Sequence, residues 1–129
     1  MAYSLHIERT DSEITLDEWL SAVAVIQGVR PRSSDYVAVN PSTGEKIVME
    51  RSNGDLEIAR TTKNWGGLLG EREVWEPAFF FSNGRGSFPA SFDLDNIDEP
   101  VRVVAIKLAQ ALNAQIVGDE GEEYQWQAP

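Results

Sequence analysis

The chain has 129 residues, a net charge of −10 and no cysteine. This length fits one domain over residues 1–129 that can bury its own core, and the missing cysteine excludes disulfides and thiolate zinc sites. The chain has eleven basic and twenty-one acidic residues, so we expect no binding to nucleic acid or to an anionic membrane. The N-terminus has neither a basic start nor a long apolar run, which predicts a cytoplasmic protein without a secretory signal.

The first two predicted elements are a strand and a capped helix. Apolar and polar residues alternate over 3–8, as in a half-buried strand. Thr15 and Glu18 have the spacing of a capping box, and apolar residues then recur at helical intervals. The pattern predicts a helix over 16–26, with Gly28 just beyond its end.

The middle of the chain predicts a meander of strands joined by tight turns. Asn-Gly pairs at 53–54 and 83–84 favour hairpin turns, whereas 31–35 is expected to be a loop. Pro89 cannot donate to a ladder, so the strand that contains it is expected at a sheet edge or at a bulge. The predicted strands are 36–40, 46–51, 55–60, 73–82 and 87–92.

The C-terminal third predicts a second helix, a short strand and a tail. Pro100 suits a first helical turn, and apolar residues at helical spacing predict a helix over 100–112, with Asn113 as its cap. A strand over 114–117 and a flexible acidic tail over 118–129 follow. The expected fold is α+β, a mostly antiparallel sheet with two amphipathic helices packed on one face. The helix residues expected in its core are Leu20, Val23, Val104 and Leu108.

Catalytic patterns are missing from the sequence. His6 is the only histidine and is predicted on the solvated side of its strand, without the second histidine or the cysteine that a zinc site would need. A Ser-His-Asp nucleophile could use only His6, and none of the serines lies in a Gly-x-Ser-x-Gly elbow. The glycines of 66–70 are not followed by the Lys-Ser/Thr of a phosphate loop. The carboxylates of 119–123 lack the spacing of a calcium loop. We therefore predict no catalytic residue, no cofactor and no metal.

Acidity is concentrated towards the C-terminus. Residues 91–129 hold eight acids and two bases, a net charge of −6, and such a field attracts basic surfaces. Tryptophan is a frequent interface anchor, although core packing is the alternative for Trp65, Trp75 and Trp126; Trp19 is expected in the core. The residues predicted to contact a partner are Asp93, Asp95, Asp98, Glu99, Asp119, Glu120, Glu122, Glu123, Trp65 and Trp126.

Five short patterns resemble a family of small bacterial proteins. They are Leu5-His-Ile-x-Arg9, Ile14-x-Leu-x-Glu-Trp19, Val39-Asn-Pro-x-Thr-Gly-Glu45, Leu108-Ala-x-Ala-Leu-x-Ala114 and Val117-Gly-Asp-Glu-Gly-Glu-x-Tyr124. Together they are similar to the immunity-type proteins that accompany polymorphic or contact-delivered toxins. The resemblance covers most of the chain, with 61–75 the least similar part, and it carries no catalytic residue.

The resemblance implies a protein that neutralises a cognate toxin by stoichiometric binding. An acidic protein suits a basic toxin domain, because complementary charge speeds association. Two other functions fit the same sequence: a structural or adaptor subunit that self-associates through an edge strand, and a metal-dependent enzyme that uses the C-terminal carboxylates.

Overall fold

Two helices cover one face of a seven-stranded antiparallel sheet. The computed structural model describes residues 3–32, 36–49, 53–63 and 71–126, and the strand order in the large sheet is β2-β5-β6-β7-β1-β8-β9. The predicted α+β class is confirmed. The elements are β1 Ser4–Glu8, α1 Leu16–Ala24, β2 Val29–Pro31, β3 Tyr36–Val39, β4 Lys46–Met49, β5 Leu56–Lys63, β6 Glu71–Ser82, β7 Arg85–Pro89, α2 Pro100–Leu112, β8 Gln115–Gly118 and β9 Glu123–Tyr124.

The expected meander is interrupted after its first hairpin. Strands β3 and β4 pair with each other as a separate two-stranded sheet, so β4 does not pair with β5. Strand β5 instead pairs with β2 and β6, one on each side. The start of the predicted loop 31–35 belongs to β2, and β2 occupies the side of β5 that the meander would have needed.

Helix α1 begins as predicted and ends two residues early. The Glu18 amide donates to the Thr15 hydroxyl, and the Glu18 carboxylate accepts from the Thr15 amide. Hydrogen bonds from Arg9 and then from Thr15 lower the pKa of Glu18 to about 2. At the other end the Val25 and Ile26 amides donate three residues back, a tightening that commonly ends a helix.

Helix α2 has the predicted bounds. Glu99 caps its first turn, since its carboxylate accepts from the Val101 amide. Asn113 ends the helix in the left-handed conformation, with φ of +52°, which asparagine tolerates better than most residues. Within the described residues neither helix combines the length and the apolar character needed to cross a membrane.

The core lies between the helices and one face of the large sheet. Trp19 is fully buried, and its Nε1 donates to the Gly54 carbonyl at 2.8 Å while its ring stacks on Phe81 at 5.3 Å. Of the four helix residues expected in the core, three are buried as predicted. Leu20 is only partly buried at the margin of the core, so that prediction was wrong.

The prediction that the strand with Pro89 lies at a sheet edge or at a bulge was also wrong. Strand β7 lies between β6 and β1, well inside the sheet, and Pro89 is its last residue. The Ala90 amide donates to the carbonyl of Tyr3, the residue before β1. Since successive residues of a strand direct their backbone groups to opposite sides, the nitrogen of Pro89 points away from β1. The ladder with β6 ends at Ser87, and Pro89 therefore interrupts neither ladder.

Candidate functional site

The loop before α2 presents three of the acids predicted to bind a partner. Asp93, Asp95 and Asp98 are exposed, and in the described part of the chain neither Asp93 nor Asp95 has a side-chain hydrogen bond or ion pair. The loop is ordered by its own backbone: the Asn96 amide donates to the Asp93 carbonyl at 3.1 Å. Ile97, also exposed, lies among these acids. The loop offers carboxylates that are free to pair with a cation.

The end of the described chain places Trp126 beside this loop. Its ring centroid lies 5.6 Å from that of Tyr124 and 6.4 Å from that of Phe88, and the Arg102 guanidinium lies 4.8 Å from the same ring. Arg102 also donates to the Leu94 carbonyl at 2.8 Å. Trp126 therefore packs against the core through one part of its surface and remains partly exposed through another.

Two adjoining depressions share the rings of Tyr124 and Trp126. The first has a volume of about 240 Å³ and is also lined by Phe92, Asp93 and Asp95. Its lining comes from 90–95 and from 124–126, so the fold brings the acidic loop before α2 to the aromatic end of the described chain. None of the acids of 119–123, all of which the structure describes, lines this depression.

The second depression lies between α2 and the edge formed by β8 and β9. Its volume is about 420 Å³, and its lining includes Ile106, Ala109, Ile116 and Glu123. We refer to Asp93, Asp95, Glu123, Tyr124 and Trp126, which surround the two depressions, as the C-terminal aromatic face.

Other predicted contact residues are engaged within the chain. Glu99 is buried and pairs with Arg60, so we withdraw its assignment to a partner. The Glu122 carboxylate accepts from the Tyr124 hydroxyl at 3.3 Å, and Asp119 is bound by β1. Glu120 is exposed at the turn before β9.

Of the other tryptophans considered as interface anchors, Trp65 falls outside the described residues. Trp75, on β6, is partly buried, and the Arg30 guanidinium lies 3.9 Å from its ring centroid. Its Nε1 donates to Glu73 at 3.1 Å, so Trp75 belongs to a polar cluster on the opposite side of the sheet from the core.

His6 is not the solvated residue that its strand pattern predicts. It is 6% exposed, and both ring nitrogens are engaged: Nδ1 lies 2.7 Å from Ser87 Oγ, and Nε2 lies 2.7 Å from Asp119 Oδ1. The Ser4 amide donates to Asp119 Oδ2 at 2.8 Å. The four residues join β1, β7 and the turn after β8 in one hydrogen-bonded line.

The charge of Asp119 decides which ring nitrogen carries the proton. The Ser4 amide and, next, the His6 ring hold the pKa of Asp119 below its ordinary value, so this carboxylate is ionised at neutral pH and only accepts. Nε2 of His6 therefore donates to Asp119. In the neutral ring Nδ1 then accepts from the Ser87 hydroxyl.

Sequence spacing could not have revealed this line. Ser87 and Asp119 lie 81 and 113 residues from His6, and only the strand register makes them neighbours, since His6 is opposite Ser87 on one side and Val117 on the other. In the part of the chain that the structure describes, no three histidine or acidic side chains are grouped so as to hold a metal ion.

Replacing His6 is expected to destabilise the fold. His6→Ala leaves Ser87 and Asp119 without their shared partner, and we expect the free energy of unfolding to fall by about 2 kcal/mol. Urea denaturation followed by circular dichroism measures the change. Ser82→Ala, at an exposed position of β6, is the control and should change stability by less than about 0.5 kcal/mol. Equal, small effects of both substitutions would contradict a structural role for the line.

The comparisons with known proteins leave the site to be interpreted from its geometry. No family model, no curated protein and no solved structure matches this chain.

Proposed function

We propose that this protein is a non-catalytic binding protein of the immunity type, which neutralises a cognate bacterial toxin domain by forming a stoichiometric complex. The contact surface in this proposal is the C-terminal aromatic face. The observation that carries it is the position of two unpaired, exposed carboxylates, Asp93 and Asp95, around a depression walled by Tyr124 and Trp126.

The chemistry of this face suits a basic partner. A lysine or arginine side chain that enters the smaller depression can pair with Asp93 or Asp95 and lie against an aromatic ring. Arg102 of the chain itself already lies over the Trp126 ring, which shows that the ring accommodates a guanidinium. The net charge of −10 adds long-range attraction for a basic domain.

The two kinds of group on this face have separate kinetic roles. Exposed carboxylates at a rim mainly change the association rate and its dependence on salt. An aromatic anchor that becomes desolvated in the complex mainly changes the dissociation rate. Variants of each kind therefore test whether this particular face makes the contact.

We expect the triple variant Asp93→Asn, Asp95→Asn, Glu123→Gln to associate several-fold more slowly at low salt with its toxin partner. Its association rate should also depend less on salt than that of the wild type. Trp126→Ala should instead dissociate about 30-fold faster, which corresponds to an anchor contribution of about 2 kcal/mol. Copurification of the chain with the product of its neighbouring gene tests for the complex, and stopped-flow binding at two salt concentrations measures both rates.

The matched control removes three charges from residues that do not line either depression. Asp11→Asn, Glu13→Gln and Glu45→Gln together neutralise three exposed acids and change the net charge by the same amount. Equal slowing by both triple variants would assign the effect to overall charge and would refute this face as the contact surface. Thermal unfolding of Trp126→Ala separates loss of binding from loss of fold, because the ring also packs on Phe88.

A further inference from the structure

We propose that Ser87 is an activated nucleophile, and that the face of the sheet opposite the helices is a site for covalent acylation by aryl esters of small carboxylic acids. The site is separate from the C-terminal aromatic face. It consists of Ser87 as the nucleophile, His6 as the base and Asp119 as a positioning residue.

The geometry supplies what a serine needs to react. A serine hydroxyl is a weak nucleophile unless an adjacent base accepts its proton. The distance of 2.7 Å between Ser87 Oγ and His6 Nδ1 is within hydrogen-bond reach. Asp119 holds Nε2 protonated, so Nδ1 presents its lone pair to the hydroxyl. Asp119 is held in turn by the Ser4 amide, and the line thus contains a nucleophile, a base and a group that orients the base.

The backbone around Ser87 limits the class of substrate. Ser87 is paired with Phe80 of β6 on one side and with His6 of β1 on the other. Strand amides point along the ladders, in the plane of the sheet, whereas the Ser87 side chain stands perpendicular to that plane. The strand therefore supplies no amide to stabilise an oxyanion above Ser87. Only esters with a good leaving group react readily under that condition.

An aromatic leaving group also has a surface to contact. Phe80 is 42% exposed and lies directly across from Ser87 in the ladder, so both side chains are on the same face of the sheet. Ser87 itself is partly exposed. These positions favour an aryl ester over an alkyl ester.

The step balances without another reactant. Ser87 Oγ forms a bond to the ester carbonyl carbon while its proton moves to His6 Nδ1. The bond from that carbon to the aryl oxygen breaks, the aryloxide leaves with the electron pair, and the proton on Nδ1 passes to the aryloxide. The products are an acyl ester on Ser87 and a phenol.

The test uses the full chain and p-nitrophenyl acetate as the probe. We expect acetylation of Ser87 to be at least about 10²-fold faster than acetylation of Ser82, as positioned base catalysis allows. Ser82 is exposed on the same face without a histidine beside it. Mass spectrometry of peptides locates the acetyl group, and release by hydroxylamine distinguishes an ester on serine from an amide on lysine. Equal rates at the two serines would overturn the proposal without any variant.

Variants then test the roles of the base and the positioning residue. His6→Gln, in a sample shown to be folded by circular dichroism, should acetylate Ser87 no faster than Ser82. Asp119→Asn should lower the acetylation rate of Ser87 and leave that of Ser82 unchanged, because the ring is no longer held in one tautomer. Asp119→Glu, which keeps a carboxylate, should restore part of the rate. An unchanged rate in folded His6→Gln, or equal rates in folded Asp119→Asn and the wild type, would overturn the proposal.

Discussion

Replacing Trp19 with alanine is expected to lower the free energy of unfolding by about 3–5 kcal/mol, the largest loss that we expect for any single side chain among the residues that the structure describes. The ring is 0% exposed, stacks on Phe81 and donates to the Gly54 carbonyl. Its removal creates a cavity and leaves that carbonyl unpaired, and both effects are destabilising. Urea denaturation followed by circular dichroism measures the loss.

Gly86 provides a sharp control for the same packing. A Cβ atom at this position would lie 2.2 Å from Cη2 of Trp19, so Gly86→Ala should destabilise the wild type through overpacking. In the Trp19→Ala background, where the space of the ring is empty, Gly86→Ala should lower the free energy of unfolding much less. Additive effects in the double variant would contradict direct packing of the Trp19 ring on Gly86, since residues in contact are expected to be coupled.

The second large effect is expected at Glu99. Glu99→Ala should lower the free energy of unfolding by about 2–3 kcal/mol, because it removes both the cap of α2 and the partner of Arg60. The Glu99 side chain is 8% exposed and that of Arg60 is 28% exposed, so the cost should lie below that for breaking a fully buried ion pair. Arg60 keeps its other partner, Glu76, at 2.6 Å.

Two substitutions separate the parts of this effect. Glu99→Gln keeps an acceptor for the cap and loses the charge, so its cost should be intermediate. Asp98→Asn removes a charge from the neighbouring, exposed residue and should change stability by less than about 0.5 kcal/mol. If Asp98 and Glu99 variants lost the same stability, Glu99 would not be the structural acid that its burial indicates.

Local signals explain which parts of the fold could be predicted. The capping box at Thr15 and the proline at 100 act within one helical turn, and both helix starts are where the sequence placed them. The left-handed Asn113 likewise marks the end of α2. Strand pairing depends on residues that are distant in the sequence, and the predictions of strand pairing were wrong. Strand β2, not β4, pairs with β5. Strand β7 is an inner strand although it contains Pro89.

The candidate site shows the same division between local and distant information. The sequence shows where the acids are but not which of them are exposed. Asp98 is exposed, whereas the adjacent Glu99 is buried. Alternation placed His6 correctly on the face opposite Leu5 and Ile7. Its burial came from Ser87 and Asp119, which only the strand register brings to it. Binding by the C-terminal aromatic face stays a prediction.

The central position of β1 has a consequence for how the protein folds. This strand, Ser4–Glu8, lies between β7 and β8, whose residues come about 80 and 110 positions later in the chain. During synthesis it has no neighbour until β7 emerges, and its second neighbour emerges only near the end of the described chain. The hairpins β5–β6 and β6–β7 need only local loop closure. We therefore expect folding to be slow for a domain of this size, because its contact order is high, and we expect insertion of β1 between β7 and β8 to be a late step.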